Sequence, residues 1–381
     1  MPTYIDVKPE LLRWAINRSG LTVDEYDDLV EKWLSGEKRP TYNQLVDFAR
    51  RAMVPLGYLF LPGPPSEALP LPDFRTRQDD GVRRPSPNLI ETIFEMKRRQ
   101  DWMRQDLIDE GHEPLPEVGA ASVGNDELLV AEMMRDSLGL KESWAEQHKS
   151  WEDALRHLRD AIEDIGILIF INGIVGNNTH RALDPAEFQG FVLIDSYAPL
   201  IFVNGADFKV AQMFTIAHEL VHVWVGQSAL FDLNATRPAD IGVEKYCNAV
   251  AAEFLVPASK IRDAWPASLD DDQSVKALAK QFKVSPIVVA RRAKDIGLIS
   301  LDEFFEFYKR YTTEERDKKE EQKGGDFWLS QNVRLGNRFG EAVVNAAKEH
   351  RITYSEAYDL TRLYGESFDT YANRLTKRRR R

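Results

Sequence analysis

The sequence predicts an α+β chain. It is mostly helical, with one small antiparallel sheet leading into a buried helix and with helical modules on either side. Three observations predict this. Apolar residues recur at helical spacing through most of the 381 residues. Short apolar runs rich in β-formers are confined to residues 167–204, bounded by Gly, Asn and Pro. Directly after them, Val210 to Val225 is apolar nearly all round, which marks a helix of the core rather than of the surface.

Length and composition narrow the possibilities. A chain of 381 residues accommodates two or three domains. A formal charge of −11 argues against indiscriminate nucleic-acid binding by the whole protein. The single cysteine, Cys247, excludes an intramolecular disulfide and a Cys-based structural zinc site, and fits a reducing compartment. Residues 1–20 carry Asp6, Lys8, Glu10 and Arg13 and lack the basic-then-apolar pattern of a secretory signal. No apolar run reaches the roughly 18 residues a membrane span needs. The expectation is a cytoplasmic chain without membrane contact.

Residues 1–60 read as short helices. Lys8 to Ser19 places Leu11, Leu12, Ala15 and Ile16 on one face and stops at Gly20. Glu31 to Leu34 precedes a polar turn from Ser35 to Thr41, and Tyr42 to Met53 forms another helix. The runs "RSGLT", "WLSGEKRPT" and "VPLGYLF" resemble, in order, an XRE-type helix-turn-helix. The chain between Leu21 and Trp33 is too short for both the supporting and the recognition helix of a complete unit. Eight Lys/Arg face nine Asp/Glu in this segment, whereas a DNA reader shows a basic face. Packing or partner contact is therefore preferred to DNA reading.

Residues 61–88 form a proline-stiffened linker (Pro62, Pro64, Pro65, Pro70, Pro72, Pro85, Pro87), whose Leu69, Leu71 and Phe74 call for cover from a neighbouring domain. A domain over 89–265 follows. Leu89 to Glu110 is a long amphipathic helix and His112 to Val123 a loop. Asp126 to Ser137 and Ser150 to Asp164 are helices, the second with a Ser cap and a stop before Gly166. Ile167 to Ile171 is a buried strand. Gly190 to Asp195 and Leu200 to Asn204 are strands of a hairpin turned by Ser196 to Pro199. The intervening loop, Gly173 to Arg181, is densely polar; Asn178 and His180 are candidates for binding substrate or an oxyanion, although Gly and Asn also build ordinary turns.

The next helix, from residue 207 to 225, carries His218-Glu219-Leu220-Val221-His222, the pattern H-E-x-x-H. Two His four apart lie about 40° apart around a helix, so both imidazoles reach one metal ion. Glu219 faces a water on that ion rather than the ion itself. Burying two imidazoles and a carboxylate unpaired is costly, and one cation satisfies all three. These are the parts of a zinc hydrolase with Glu219 as general base. Helices, a small antiparallel sheet and then the metal helix is the order of a zincin-like peptidase domain.

A catalytic zinc wants a third protein ligand, with water in the fourth position. His180, Asp232, Asp240, Glu244 and Glu253 are available. Glu244 is the choice, because the helix Val243 to Val256, ended by Pro257, can pack antiparallel to the first across residues 226–242. Glu253 is the reserve. Glu244 and Asn248 share a face, and Cys247 reads as a small core residue rather than a ligand.

The run "FTIAHELVH" followed by "EKYCNAVAAEFLVP" is similar to the ImmA/IrrE metallopeptidases, over roughly residues 150–300. Carried over position by position, the resemblance makes His218, His222 and Glu244 the ligands of one zinc ion and Glu219 the general base. It implies a gluzincin-like fold, a cytoplasmic setting and limited cleavage of a regulatory protein, such as a repressor or an antitoxin-like partner.

Residues 266–312 read as a helix-turn-helix-like subdomain: Ser274 to Phe282, a turn at Lys283 to Ser285, and Pro286 to Ile296 with a Ser285 cap and a Gly297 stop. Lys276, Lys280, Lys283, Arg291, Arg292 and Lys294 against Asp295 make it locally basic. Its second helix opens Pro-Ile-Val-Val, without polar side chains to read base edges, which favours packing. Glu314 to Lys323 is a solvated charge run. Residues 326–381 form a helical module with Phe339, Val343, Ala347, Tyr358 and Leu363 in its core, ending in a disordered basic tail from Lys377 to Arg381. Two readings rival the peptidase: a DNA-binding regulator whose zinc senses or supports structure, and a toxin–antitoxin-associated protein acting through protein contacts alone.

Overall fold

A computed structural model of the chain describes residues 3–65, 85–207, 209–231, 241–265, 272–317 and 333–379. They fall into two compact units, one running through Phe94 and the other from Glu95 onward.

In the first unit, helices α1 (Pro9–Ser19), α2 (Asp28–Leu34) and α3 (Tyr42–Arg51) surround a small core. Leu12, Ala15, Leu45 and Ala52 are its most buried members, with Trp33 and Phe48 meeting edge to face. Gly20 ends α1 with φ 73°, a left-handed conformation glycine adopts without strain. Between α1 and α2 there is one 3-10 turn, Val23–Glu25, held by a capping box from Thr22. The linker residues Leu69, Leu71 and Phe74 lie outside the described residues.

The second unit takes in most of α4 (Pro87–Asp109), α5 (Glu127–Ser137) and α6 (Trp151–Asp164), then the sheet and the helices that follow it. Asp126 caps α5 through the Leu128 and Leu129 amides, and Ser150 caps α6 through the Asp153 amide, the second as its sequence predicts. The strands are β1 (Leu168–Asn172), β2 (Gly190–Leu193), β3 (Leu200–Asn204) and β4 (Ala229–Phe231), in the order β1-β3-β2-β4.

The sheet is mixed, which corrects the expectation of an antiparallel one. β2 and β3 do form the predicted hairpin, but β1 pairs with β3 in parallel, Phe170 opposite Phe202. The physical reason is the long connection from residue 173 to 189. It carries the chain across the sheet, so that β3, not β2, lies beside β1. β4 covers the other side of β2, so neither hairpin strand has a free edge.

Both faces of the sheet are covered, and β1 to β3 are buried throughout. Ile169, Ile171, Val192, Ile201 and Val203 face a core shared with α5, α6, α7 (Lys209–Val225) and α8 (Ile241–Leu255). On the other face, Phe191 and Phe202 stack with centroids 4.9 Å apart, and Phe170 meets Phe339 at 5.5 Å. There the Gln100 amide on α4 donates to the Leu193 and Ala198 carbonyls, satisfying backbone at the hairpin turn.

Beyond α8 come α9 (Ala258–Ala264), α10 (Asp272–Phe282), α11 (Pro286–Asp295) and α12 (Leu301–Asp317). Ser285 caps α11 through the Val288 amide. α12 takes in the start of the predicted charge run; residues 318–323 lie outside the described residues. Helices α13 (Asn337–Lys348), α14 (Tyr354–Thr361) and α15 (Glu366–Arg379) make the C-terminal module. Phe339, Val343, Ala347 and Leu363 are buried there as predicted, while Tyr358 is half-buried. α15 runs through Arg379, so the first three residues of the predicted disordered tail are helical. No helix among the described residues is long and apolar enough to cross a membrane.

Candidate metal centre

α7 crosses beneath the sheet and is buried on every side: Ile216, Ala217, Leu220, Val221, Val223 and Trp224 are all inaccessible. Its C-terminal carbonyls would be orphaned there. The loop before α5 supplies donors, Gly119 N–H to the Val223 carbonyl at 3.0 Å and Ala121 N–H to the Trp224 carbonyl at 2.8 Å. The helix is thus fixed at its far end, and the histidines one turn earlier are held by core packing.

α8 lies against both α7 and α5. Its C-terminus is pinned by two arginines: Arg135 of α5 donates to the Glu253 and Phe254 carbonyls, and Arg292 of α11 to the Val256 carbonyl. Glu244 sits in its first turn.

These two helices bring three side chains together. His218 Nε2 and His222 Nε2 are 3.1 Å apart, Glu244 Oε2 is 3.1 Å from the first and Glu244 Oε1 is 3.3 Å from the second. Ligand atoms on a tetrahedral zinc with bonds near 2.0–2.1 Å stand about 3.3 Å from one another. Donor types and spacing therefore both fit that ion. His218, His222 and Glu244 form the one group among the described residues with three metal-ligating atoms so placed.

The electrostatics favour the states a metal needs. Burial pushes the His218 imidazole down to about 4, so it is neutral at pH 7 with a lone pair available. Burial opposes ionisation of Glu244, but bonds from His218 and His222 outweigh it and hold the carboxyl at about 2. Glu219 is wholly buried. Burial, and then the Glu244 carboxylate, push its carboxyl well above the usual range. Neither Glu219 oxygen has a hydrogen-bond partner among the described residues, an arrangement that calls for a polar guest. Space beside it is kept by Gly190 on β2, where a Cβ would come within 2.7 Å of Thr215 Cγ2 and 3.1 Å of Glu219 Oε1.

The other candidates are placed elsewhere. The reserve ligand Glu253 is not in the group. Its carboxylate pairs with Arg292 and accepts from the Ala258 amide, tying α8 to the start of α9 and to the last turn of α11. His180 and Asn178 are exposed and stay out of the ligand group; the Asn178 side chain accepts from the His180 amide at 3.0 Å. The polar character of their loop has a structural basis: Asn172 donates to the Gly176 carbonyl and Asn177 to the Arg362 carbonyl. Asp232 and Asp240 lie outside the described residues. Sequence reasoning missed Gly190, the Glu253–Arg292 pair and a contact of Cys247 with His222. Only the last had a signal, the three-residue spacing from Glu244 that puts Cys247 on the same face.

Residues 162–294, roughly a third of the chain, match the family described as the IrrE N-terminal-like domain, a peptidase family. The match takes in α7 and α8 and supports a peptidase, hence hydrolase, activity at that general level. Residues 335–374 match a domain of unknown function (DUF8813). No curated protein matches the chain.

Proposed function

We propose that the protein is a zinc-dependent metallo-endopeptidase that makes limited cuts in a regulatory protein, a repressor or an antitoxin-like partner. The observation that carries this reading is the convergence of His218, His222 and Glu244 to within 3.3 Å, beside a buried glutamate with no hydrogen-bond partner among the described residues. A zinc ion in that cradle supplies a Lewis acid for the scissile carbonyl and lowers the pKa of bound water. Glu219, with its raised proton affinity, takes the proton from the attacking water and returns it to the departing amide nitrogen. His218 and His222 are inaccessible and Glu244 retains about a third of its exposure (35%). Approach is thus from the α8 side, which suits an extended segment better than a folded domain.

The hairpin has no free edge, so the substrate strand adds to β4, the sheet edge that follows α7 directly. Metal analysis combined with co-expression beside neighbouring-gene products tests the reading. Wild type should bind one zinc and give site-specific scission that a chelator abolishes. Glu219→Gln should keep the metal and cut about 10²–10⁴-fold more slowly. A Glu219→Gln protein that cuts at the wild-type rate overturns the mechanism.

A further inference from the structure

We propose that Cys247 is a positioning residue for His222, holding its imidazole so that Nε2 is presented to the ion; this rests on the reading of the site as a zinc centre. Nε2 of His222 is the nitrogen that faces His218 and Glu244, at 3.1 and 3.3 Å. A histidine that gives one ring nitrogen to a metal carries its proton on the other. Nδ1–H must then donate, and donors of ligating histidines ordinarily meet a carboxylate, a carbonyl or water. Here the partner is the Cys247 Sγ, 3.8 Å from Nδ1, a hydrogen-bonding distance for sulfur. Both residues are inaccessible or nearly so, His222 at 1% and Cys247 at 0%. Water does not compete for the contact.

The arrangement follows from one turn of α8. Glu244, Cys247 and Asn248 stand at i, i+3 and i+4, on one helix face. Glu244 meets His218 at 3.1 Å, and Cys247 meets His222. A thiol is a weak acceptor. The orientation of the His222 ring on its Nδ1 side therefore depends on a single soft contact. Loss of the thiol leaves a buried N–H unpaired.

The full-length chain is tested as wild type, Cys247→Ala and Cys247→Ser, by zinc affinity in chelator competition and by the visible absorption of the cobalt(II)-loaded protein. Cys247→Ala is expected to bind zinc roughly 10-fold more weakly, at the lower end for loss of such a partner, with shifted cobalt bands. Cys247→Ser, whose hydroxyl can accept the same bond, is expected to recover most of the loss. An alanine variant with wild-type affinity and an unchanged cobalt spectrum overturns the inference, and so does a serine variant no better than alanine. Should the alanine variant not fold, nitrogen NMR of histidine-labelled, zinc-loaded wild type decides. A proton on Nδ1 of His222 supports the assignment, and metal on Nδ1 overturns it. Wild type that binds no zinc removes the zinc reading along with the inference, whereas wild type that binds zinc beside an unaffected alanine variant removes the inference alone.

Discussion

Single side chains do three distinct jobs around α7: they bind, they leave room, and they anchor. Gly190 leaves room. Its replacement by alanine pushes a methyl against Thr215, the Phe202 carbonyl and Glu219. Gly190→Ala should lose about 1–3 kcal/mol of stability. It should lower turnover more than zinc binding, since it displaces Glu219 rather than a ligand; thermal melts and zinc titration separate the two. Arg292 anchors. Removing it leaves Glu253 buried without its partner, so Arg292→Ala should cost about 3–5 kcal/mol in denaturant unfolding, far above the roughly 1 kcal/mol of an ordinary exposed pair. The two histidines of the candidate metal centre were legible in the sequence because four-residue spacing on a buried helix has few other uses. Glu253 was misread as a reserve ligand because its partner comes from α11, far along the chain, and no local pattern encodes such a pair.

Elements were legible wherever their signals are local. The caps at Ser150 and Ser285 both form as the sequence suggests. Ser285→Ala should cost about 1 kcal/mol, read as a lowered unfolding midpoint with the zinc stoichiometry unchanged. Strand pairing was not legible in the same way. Period-two alternation tells a strand which face is buried, and here both faces are, so even that signal is lost. Which strand becomes the neighbour is decided by where the connection from 173 to 189 lands, and loop composition does not say. The end of α15 was missed for a related reason: a run of like charges argues for disorder, but the helix preceding it carries on through Arg379.

At the scale of the second unit, the C-terminal module is part of the peptidase core rather than an appendage. Arg99 of α4 is fully buried; it donates to the Leu360 carbonyl at 3.0 Å, pairs with Glu95 at 2.7 Å and lies over the Phe170 and Phe339 rings. Glu163 of α6 accepts from Asn337 and from the Arg338 amide at the start of α13. Truncation before residue 333 should therefore expose Phe170 and strand Arg99 and Glu163, giving a chain that aggregates or melts well below the full-length protein. The sequence marked these residues as a helical module but gave no sign of its docking, because each contact joins positions more than a hundred residues apart. The candidate ligands come from two helices with roughly twenty residues of chain between His222 and Glu244. A cation gripping both ends would close that loop as a removable staple. Heat tolerance then becomes a readout of free metal: a hundredfold excess of zinc over its dissociation constant adds about 2.7 kcal/mol to folding. A starved pool would hand the same chain to cellular quality control sooner.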